Sequence, residues 1–365
     1  MFKEINQNSF FGNFLYEQVI PKDHFLRKLN KVIDFSFVNE ISKDCYENLG
    51  KPGNRPYEPA MLFKELLLAF LYDISDREIE EQVNFNLGFK WFVGLPANGL
   101  APDHSTLTYF RDRLGQKRFE EIFNQIVRQA RDKGLIDDRL KIIDSTHIEA
   151  KVNTNRLSQE FKGKLKKSPN NLNNQGINKS NYIDKTSPDP DARFGRKSDV
   201  KKFYGYKEHI MIDGNSEIIE KVKVTPGNIK DEKMLEPLME DIKPARKHSK
   251  KNPKILADKG YDCKRNHQII EKEHHCQSFI ILKKNRKGKR FKKKMKSELY
   301  QTIIKQRYKI ERRFADAKNN HGLAKCRWLG RFKTEIQAYL TSICLNCKRI
   351  VFLTYQNPQY CLQKA

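Results

Sequence analysis

The first third of the chain carries hydrophobic residues at helical spacing. The clearest helix is predicted from Pro59 to Tyr72, where apolar residues recur every three or four positions and Pro59 suits a first turn. Ser75 and Glu78 have the spacing of a capping box, which predicts the start of a second helix. Together these patterns predict an all-helical N-terminal domain over residues 1–135.

Asp103 is predicted to cap a third helix, which ends at Leu114 because Gly115 follows. The N-terminal region therefore ends in short helices joined by tight turns. This arrangement is compatible with a helix-turn-helix DNA reader, although a small helical bundle without that function gives the same pattern. We interpret the domain as DNA-binding.

Beyond residue 139 the period changes to that of β-strands. The predicted strands are 140–144, 202–213, 217–224, 254–258 and 278–283. Helices are predicted over 231–241, 297–320 and 334–355. This alternation indicates an α/β domain over residues 136–355.

Two polar stretches interrupt the α/β pattern. Residues 153–201 hold six Asn within positions 168–181, and this composition predicts a mobile insertion because it buries too little apolar surface to order itself. Residues 283–296 hold ten Lys or Arg, which predicts a basic surface loop. A solvated loop explains such a run, but beside a nucleic-acid site the same cations neutralise phosphates.

The net charge of the chain indicates which kind of molecule it binds. The chain has 71 Lys and Arg against 45 Asp and Glu, a formal net charge of +26. Self-repulsion of this size favours a polyanionic partner, and nucleic acid is the first candidate. A basic membrane-surface protein has similar charge, but the most apolar stretch, Leu62 to Tyr72, contains Lys64 and Glu65 and is too short to cross a bilayer. We therefore expect no membrane partner.

The N-terminus, MFKEINQNSFFGNF, lacks a basic start followed by an apolar run and a cleavage site, so secretion is not expected. Seven scattered cysteines fit a reducing compartment. These features predict a cytoplasmic protein.

Two aspartates follow apolar runs that are predicted to be buried strands. Asp144 follows Leu140 to Ile143, and Asp258 follows Ile255 to Ala257. Ligands bind at the carboxyl ends of strands in open α/β sheets, so the pair marks a candidate site. A single aspartate in this position is usually a turn former or a helix N-cap, and the pair is better evidence than either residue alone.

Glu311 lies in the predicted helix 297–320, on one stripe with Ile304, Arg307 and Lys318. Such a face is ordinarily a solvated salt-bridge ladder, since Arg307 and Glu311 are four residues apart. The functional alternative is that Glu311 joins the two aspartates in holding Mg²⁺ or Mn²⁺, which prefer oxygen ligands and also coordinate phosphate. Arg307 and Lys318 would then contact the DNA backbone near the scissile phosphate.

At these residues the sequence resembles the DDE-type insertion-sequence transposases of the IS4/IS5 superfamily, most closely the IS1182 group. The resemblance runs through most of the chain in blocks that follow the family's order. The blocks are PYEPAMLFKELLLAFLYDISDREIEE, PDHSTLTYFRDRL, KIIDSTHIEAKVN, SPDPDARFGRK, FYGYKEHIMID, VTPGNIKDEKMLEPLM, ILADKGYDCKRN and RYKIERRFADAKNNHGLAKCRWLGRFKTEIQAYL.

The resemblance implies roles for the carboxylates. Asp144, Asp258 and Glu311 take the positions of the family's catalytic, metal-binding residues, with Asp262 as a lower-ranked alternative to Asp258. The implied fold is α/β, an RNase H-like mixed sheet with flanking helices that follows the all-helical N-terminal domain. The implied cofactor is Mg²⁺ or Mn²⁺.

The resemblance also implies DNA contacts from the third block. Arg307 and Lys318 take the positions of the signature's arginine and lysine. Ile304 stands where the superfamily's signature has tyrosine, and Tyr300 lies on the same stripe one turn earlier.

Further basic residues are candidate DNA contacts. Trp328 is flanked by Arg327 and Lys333. The usual interpretation of such a tryptophan is a buried core residue. The functional alternative is that its ring stacks on DNA bases. In the basic loop the candidate phosphate contacts are Lys292, Lys293 and Lys294.

The function implied by the resemblance is transposition of an insertion sequence. The enzyme would bind the terminal inverted repeats in double-stranded DNA, cleave the strands and transfer them to target DNA, as a homodimer because two ends must be paired. Two alternatives remain open. One is a metal-dependent nuclease without strand transfer, and the other is an inactive DNA-binding remnant of a transposase.

Two groups of soft ligands are interpreted as structural. Cys344 and Cys347 form a C-x-x-C, but they lie on an apolar helical stripe and no second pair matches them, so a core role is favoured over zinc. His274, His275 and Cys276 are adjacent and point in different directions, which favours a surface position over a metal site.

Overall fold

A computed structural model describes residues 2–3, 10–46, 55–167, 178–196, 202–242, 252–283, 293 and 295–355. The chain divides into two compact units. The first unit comprises Met1–Ile136, Asn320–Gly322 and Tyr339–Ala365, and the second comprises Asp137–Asn319 and Leu323–Ala338. The sequence prediction instead assigned all of residues 136–355 to the α/β domain.

The first unit is helical. Its helices are α1 (Phe10–Val19), α2 (Phe25–Val32), α3 (Phe37–Ser42), α4 (Pro59–Leu71), α5 (Asp76–Phe85), α6 (Leu87–Val93) and α7 (His104–Asp132). The side chains of Phe63, Leu66 and Phe70 in α4 are fully buried, as the apolar period predicts. A core of large apolar side chains therefore runs along this helix.

The predicted helix starts are present. The Ser75 hydroxyl accepts a hydrogen bond from the Glu78 amide at 3.3 Å, and the Glu78 carboxylate accepts one from the Ser75 amide at 2.7 Å. Asp103 accepts a hydrogen bond from the Ser105 amide at 2.8 Å. Gly115 interrupts α7 with a φ of 66°, so the first segment ends where the sequence predicts and a second segment follows it.

The second unit is built on a six-stranded mixed sheet. Its strands are β1 (Leu140–Glu149), β2 (Arg193–Arg196), β3 (Lys202–Asp213), β4 (Ile219–Pro226), β5 (Lys254–Ala257) and β6 (Gln277–Ile280). The order is β2-β3-β1-β5-β6, with β4 also pairing with β3. β1 runs antiparallel to β3 and parallel to β5, which in turn is parallel to β6. The predicted α/β class and mixed sheet are confirmed.

Further α-helices lie among the described residues of the second unit, and the last of them continues into the first unit from Tyr339 onward. They are α8 (Thr154–Lys167), α9 (Lys179–Thr186), α10 (Leu235–Met239), α11 (Lys264–Gln268), α12 (Glu298–Lys305), α13 (Tyr308–Asn320) and α14 (Arg331–Tyr355). One face of the sheet packs Ile143, Met211 and Ile255 against α10 and the segment around Ile269. No helix among the described residues combines the length and apolarity that crossing a membrane requires.

The structure differs from the predicted insertion at residues 153–201. It contains α8, α9 and β2 there, while 168–177 and 197–200 lie outside the described residues. Leu157 and Phe161 lie one turn apart on α8 and are buried, and Phe161 packs against Tyr182 of α9 with ring centroids 5.3 Å apart. The prediction of a mobile insertion rested on the average composition of the segment. It missed this apolar pair because most of the surrounding positions are polar.

The single helix predicted over residues 297–320 is wrong. α12 ends at Lys305, and α13 begins at Tyr308 after a turn at Gln306 and Arg307. The Gln306 amide donates to the Ile303 carbonyl at 3.0 Å, an i to i−3 bond that tightens and ends the first helix. The stripe from Ile304 to Lys318 is therefore not continuous.

Glu65 generates a stability prediction for the helical unit. Its side chain is fully buried in α4, neither carboxylate oxygen has a hydrogen-bond partner, and burial raises its pKa to about 8, with Glu80 and Asp76 adding to the shift. The unfolded chain would ionise Glu65 near the ordinary value of 4.5. Between these two values only the unfolded state gives up the proton, so stability falls as pH rises through this window.

We expect Glu65→Gln to flatten this pH dependence and to raise the thermal midpoint at pH about 8, since each pKa unit corresponds to about 1.4 kcal/mol. Thermal unfolding at pH about 5 and about 8 measures both effects. Glu81→Gln, an exposed site on α5, is the control and should leave the midpoints unchanged. A Glu65→Gln protein with the wild-type pH dependence would contradict the account.

Candidate active site

The register of two parallel strands brings the aspartates together. Ile143 of β1 is paired with Ala257 of β5, so Asp144 and Asp258 are the next positions along the two strands. β5 ends at Ala257, as predicted, whereas β1 continues to Glu149 because β3 pairs with it along its other edge. Asp144 therefore lies inside a strand rather than at its end, beside the point where β5 stops.

One guanidinium group contacts all three predicted carboxylates. Nε of Arg307 lies 3.4 Å from Asp144, and Nη1 lies 3.0 Å from Asp258. Nη2 lies 3.2 Å from Glu311. The three residues that the sequence predicts as one site thus converge on a single cation. An all-oxygen donor set that already surrounds a cation is of the kind that hard divalent metals use.

The guanidinium also separates the carboxylates. Among the residues that the structure describes, the one set of His, Cys, Asp and Glu ligand atoms within 4.8 Å of one another is Glu80, Asp103 and His104. The oxygens around Arg307 are therefore spread more widely than that set. Asp103 and Glu80 are explained locally, because both accept hydrogen bonds from backbone amides at the start of α7.

Burial dominates the electrostatics of Asp144. Its residue is 8% exposed, and burial raises the pKa of its carboxyl to about 6. Arg307 opposes this rise, and the neighbouring charge of Asp258 adds to it. For Arg307, burial works against the charged form, but the three carboxylates together raise the pKa of the guanidinium above its ordinary value. The charges of the site therefore stabilise one another.

α13 is anchored to the turn between β3 and β4, and this fixes Glu311. Nζ of Lys309 donates to the Gly214 carbonyl at 2.6 Å. Arg312 and Arg313 both pair with Glu217, a buried residue in the same turn. These contacts were not predicted from the sequence; the available signal was the helical spacing of Ile310 and Phe314 among charged residues in KIERRF.

The turn after β5 accounts for Asp262. Asp262 is 3% exposed, accepts a hydrogen bond from the Lys283 amide at 2.8 Å and lies 3.0 Å from Nε2 of His267. Both oxygens are thus engaged within the fold. Asp258, which contacts Arg307, is the better candidate ligand of the two.

Lys318 lies on α13 beyond Glu311. Its Nζ is 3.4 Å from Nδ1 of His147 in β1. Glu208 of β3 is fully buried, its Oε1 has no hydrogen-bond partner, and burial raises its pKa to about 8, while Lys318 acts in the opposite direction. Glu208 was missed, although an acid at alternate positions with Ile210 and Ile212 is a detectable signal in a strand.

Tyr300 does not take the role of the signature tyrosine. Its ring is buried against Phe279, and its hydroxyl donates to the Ile280 carbonyl at 3.3 Å. Ile304 is half-buried on the same helix. Tyr300 is therefore a packing residue of α12.

The segment that carries Arg327 and Trp328 is attached to the edge of the sheet. The Cys326 amide donates to the Glu149 carbonyl at 2.7 Å, and Lys325 forms a bridge with Glu149. Nζ of Lys151 donates to the Arg327 carbonyl at 3.0 Å. Trp328 is half-buried, as are Arg327 and Lys333. None of the described contacts tests whether Trp328 stacks on DNA bases, so this role stays a prediction.

Asp189 holds this segment in place. Its fully buried carboxylate accepts hydrogen bonds from the Tyr206 hydroxyl at 2.5 Å and from the Gly330 amide at 3.2 Å. Asp191 accepts one from the Arg331 amide at 3.1 Å, at the start of α14. The SPDPDA stretch thus links β3 to the residues after Trp328, a role that the sequence analysis did not assign.

The basic loop is largely outside the described residues. Lys292 and Lys294 are among the residues that the structure does not describe, and Lys293 is exposed. Their DNA contacts stay predictions.

The soft-ligand groups are structural within the part of the chain that is described. Cys344 and Cys347 are fully buried in α14, and Sγ of Cys344 donates to the Leu67 carbonyl at 3.8 Å. Burial raises the pKa of the Cys347 thiol well above its ordinary value. Nδ1 of His274 lies 2.9 Å from the Ile242 carbonyl, and Cys276 is buried.

Comparison with known proteins agrees with this geometry. Residues 14–113 match the family model described as Transposase domain (DUF772), and residues 136–347, more than half of the chain, match the one described as Transposase DDE domain. The chain belongs to the DDE transposases. It is also similar to the transposase for insertion sequence element IS1106 of Neisseria meningitidis serogroup B, with 29% identity over 243 residues that cover 65% of this chain and 75% of the relative.

The predicted resemblance to DDE insertion-sequence transposases is confirmed by these matches, and the N-terminal match fits the IS1182 group. The fold is the predicted RNase H-like α/β fold, and the chain is a transposase enzyme that acts on DNA with a divalent metal cofactor. The three carboxylates around Arg307 lie within the matched DDE domain.

The Asp189 contacts generate a prediction for the segment around Trp328. We expect Asp189→Ala to loosen the segment, because the Gly330 amide and the Tyr206 hydroxyl lose their acceptor. Trp91→Phe leaves Trp328 as the single tryptophan of the transposase, so acrylamide quenching of its fluorescence reports on this segment.

Quenching should rise in Asp189→Ala and the thermal midpoint should fall by about 3 °C. Asp191→Ala is the control, since Asp191 is exposed and bonds one amide only. Equal quenching in both variants and in the parent would refute the role of Asp189.

Proposed function

We propose that this transposase binds the terminal inverted repeats of an insertion sequence and catalyses strand cleavage and strand transfer with Mg²⁺ or Mn²⁺ held by Asp144, Asp258 and Glu311. The observation that carries the proposal is the convergence of these carboxylates on Arg307, at 3.4, 3.0 and 3.2 Å. Lys141 also contacts three carboxylates, those of Asp138, Asp213 and Glu220, but only the set around Arg307 contains the acids that the sequence predicts as one site.

The divalent metal, when bound, supplies activation of the attacking oxygen and stabilisation of the leaving oxygen in a phosphoryl displacement. The chain's own residues have separate tasks. Asp144 and Asp258 provide ligands on the rigid sheet, and Glu311 provides one from α13, which Lys309 ties to Gly214. No side-chain general base is assigned, because a metal held by these residues would lower the pKa of the attacking water or DNA hydroxyl, whose proton would then pass to solvent.

The basic residues around the carboxylates are proposed to hold the DNA. Arg307 and Lys318 flank Glu311 and would contact backbone phosphates, Arg307 by a planar two-point contact. Trp328 would stack on bases or line the strand path. Further phosphate contacts would come from Arg327, Lys333, Lys292, Lys293 and Lys294.

The remaining parts of the proposal concern assembly. The helical unit of α1 to α7 would read the repeat sequence, since the DDE domain by itself explains phosphate contacts but no sequence preference. A homodimer in the DNA complex would pair the two element ends. With DNA as its partner, the enzyme would work in the cytoplasm.

Carboxylate substitutions test the metal site. We expect Asp144→Asn, Asp258→Asn and Glu311→Gln each to lower strand cleavage by more than about a hundredfold, because each removes a metal ligand. Incubation of the enzyme with a labelled element end, Mg²⁺ and a target plasmid measures strand cleavage and strand joining in one assay. A gel-shift assay should show that DNA binding remains.

Glu149→Gln is the matched control, because its side chain is exposed at the end of β1 and should leave cleavage intact. Full activity in the three variants would reject the assignment. Cleaved ends that never join the plasmid would indicate a nuclease instead, and DNA binding without any cleavage would indicate an inactive remnant.

The DNA contacts are tested by salt dependence. We expect Lys318→Ala and Arg327→Ala each to reduce the slope of log affinity against log salt by about 0.9, the value for one lost phosphate contact. Filter binding or fluorescence anisotropy over a series of salt concentrations measures the slope. Lys164→Ala, an exposed lysine on α8, is the control and should leave the slope unchanged. A wild-type slope in both test variants would remove these residues from the interface.

A further inference from the structure

All three nitrogens of the Arg307 guanidinium contact the carboxylates. Each contacts a different acid, Asp144, Asp258 or Glu311. A planar two-point contact with a phosphate needs two adjacent nitrogens of the same group. Nε carries a single hydrogen, which it donates to Asp144, so the edge of the guanidinium that contains Nε cannot also hold a phosphate in this arrangement.

The carboxylates are also spread by the guanidinium. Two oxygens that share one Mg²⁺ lie within about 4 Å of each other, because each is about 2.1 Å from the ion. In the described part of the chain, the oxygens around Arg307 do not form a set within 4.8 Å. The ligand set becomes compact only when the guanidinium moves away.

We propose that Arg307 is an internal counter-ion that competes with the divalent metal for the three carboxylates and is drawn away by a DNA phosphate, so that DNA binding strengthens metal binding. This inference rests on the proposed metal site. Arg307 lies in the turn between α12 and α13, its side chain is 32% exposed, and no helix backbone bond depends on where its guanidinium points. The exchange therefore requires only movement of one side chain.

Charge gives the exchange its direction. The carboxylates carry three negative charges, and the guanidinium offsets one of them. A divalent cation at the same place is repelled by the guanidinium at short range, which weakens metal binding as long as Arg307 stays. A phosphate offers the guanidinium another anion, and the coupling is reciprocal, so that metal must also strengthen DNA binding by the same factor.

The experiment measures Mn²⁺ binding to the full-length transposase without DNA, by the electron paramagnetic resonance signal of free Mn²⁺. We expect Arg307→Gln to bind Mn²⁺ at least about tenfold more tightly than wild type, because one close positive charge is removed. Arg265→Gln is the matched control. It removes the same charge from the surface of the same unit, where the exposed Arg265 pairs with Glu236 and Glu273, and should stay within about twofold of wild type.

A second measurement tests the coupling. Addition of a short DNA duplex should tighten Mn²⁺ binding to wild type and to Arg265→Gln, and should have little effect on Arg307→Gln. Without metal, Arg307→Gln should have a lower thermal midpoint than wild type, since its carboxylates lose their counter-ion, and Mn²⁺ should restore it. Arg307→Lys, which keeps the charge on one nitrogen, should lie between the two.

The outcomes separate this inference from the proposed metal site. If Asp144→Asn or Asp258→Asn in the Arg307→Gln background leaves Mn²⁺ binding unchanged, the proposed metal site fails. If those variants abolish binding while Arg307→Gln binds Mn²⁺ no more tightly than wild type, the metal site stands and the counter-ion role is overturned. Loss of the DNA effect in Arg265→Gln as well as in Arg307→Gln would also overturn it.

Discussion

Carboxylates repel one another, and a site that gathers three of them depends on positive charge placed between them. Arg307 supplies that charge, with one nitrogen on each of Asp144, Asp258 and Glu311. The rest of the α/β unit serves this arrangement. The parallel register of β1 and β5 sets two acids side by side, and the contacts of α13 with the β3–β4 turn hold the third. Fold and electrostatics therefore meet at this point, because the backbone elements place the three acids around the one group that neutralises them.

The three acids differ in how firmly they are held. The exposed fraction of the side chain rises from 12% for Asp144 to 25% for Asp258 and 56% for Glu311. Asp144 and Asp258 on the sheet are thus largely shielded from solvent, whereas Glu311 on α13 is in contact with it. Burial raises the pKa of Asp144, and this cost is tolerated because Arg307 and the Ser145 amide stabilise the charged form. In the proposed function, DNA would approach from the side of Glu311, where the basic residues of α13 also lie.

Much of this could be predicted from sequence, for definite reasons. Apolar runs followed by an acid identified Asp144 and Asp258 as a pair of residues that each follow a buried strand. The capping motifs at Ser75 and Asp103 predicted helix starts because they depend on local chemistry alone. What failed depended on distant contacts. β1 extends past Asp144 because β3 pairs with it, and α8 is held by Phe161 packing on Tyr182, an interaction between residues of two separate helices. No proline or glycine marks the helix break before Tyr308. The role of Asp189 depends on its hydrogen bond with the amide of Gly330, 141 positions later in the chain.

The order of these elements along the chain has a consequence for synthesis. The contact between Arg307 and Asp144 joins residues 163 positions apart, and every helical contribution to the site lies on the carboxyl-terminal side of both aspartates. A ribosome-bound chain can therefore form β1 and β5 with two unpaired acids at their edge, but it cannot assemble the complete constellation until α13 has emerged. Under the proposed function, a nascent or prematurely terminated polypeptide would therefore carry DNA-attracting charge without the complete ligand set for cleavage, and only a chain translated beyond α13 could cut DNA.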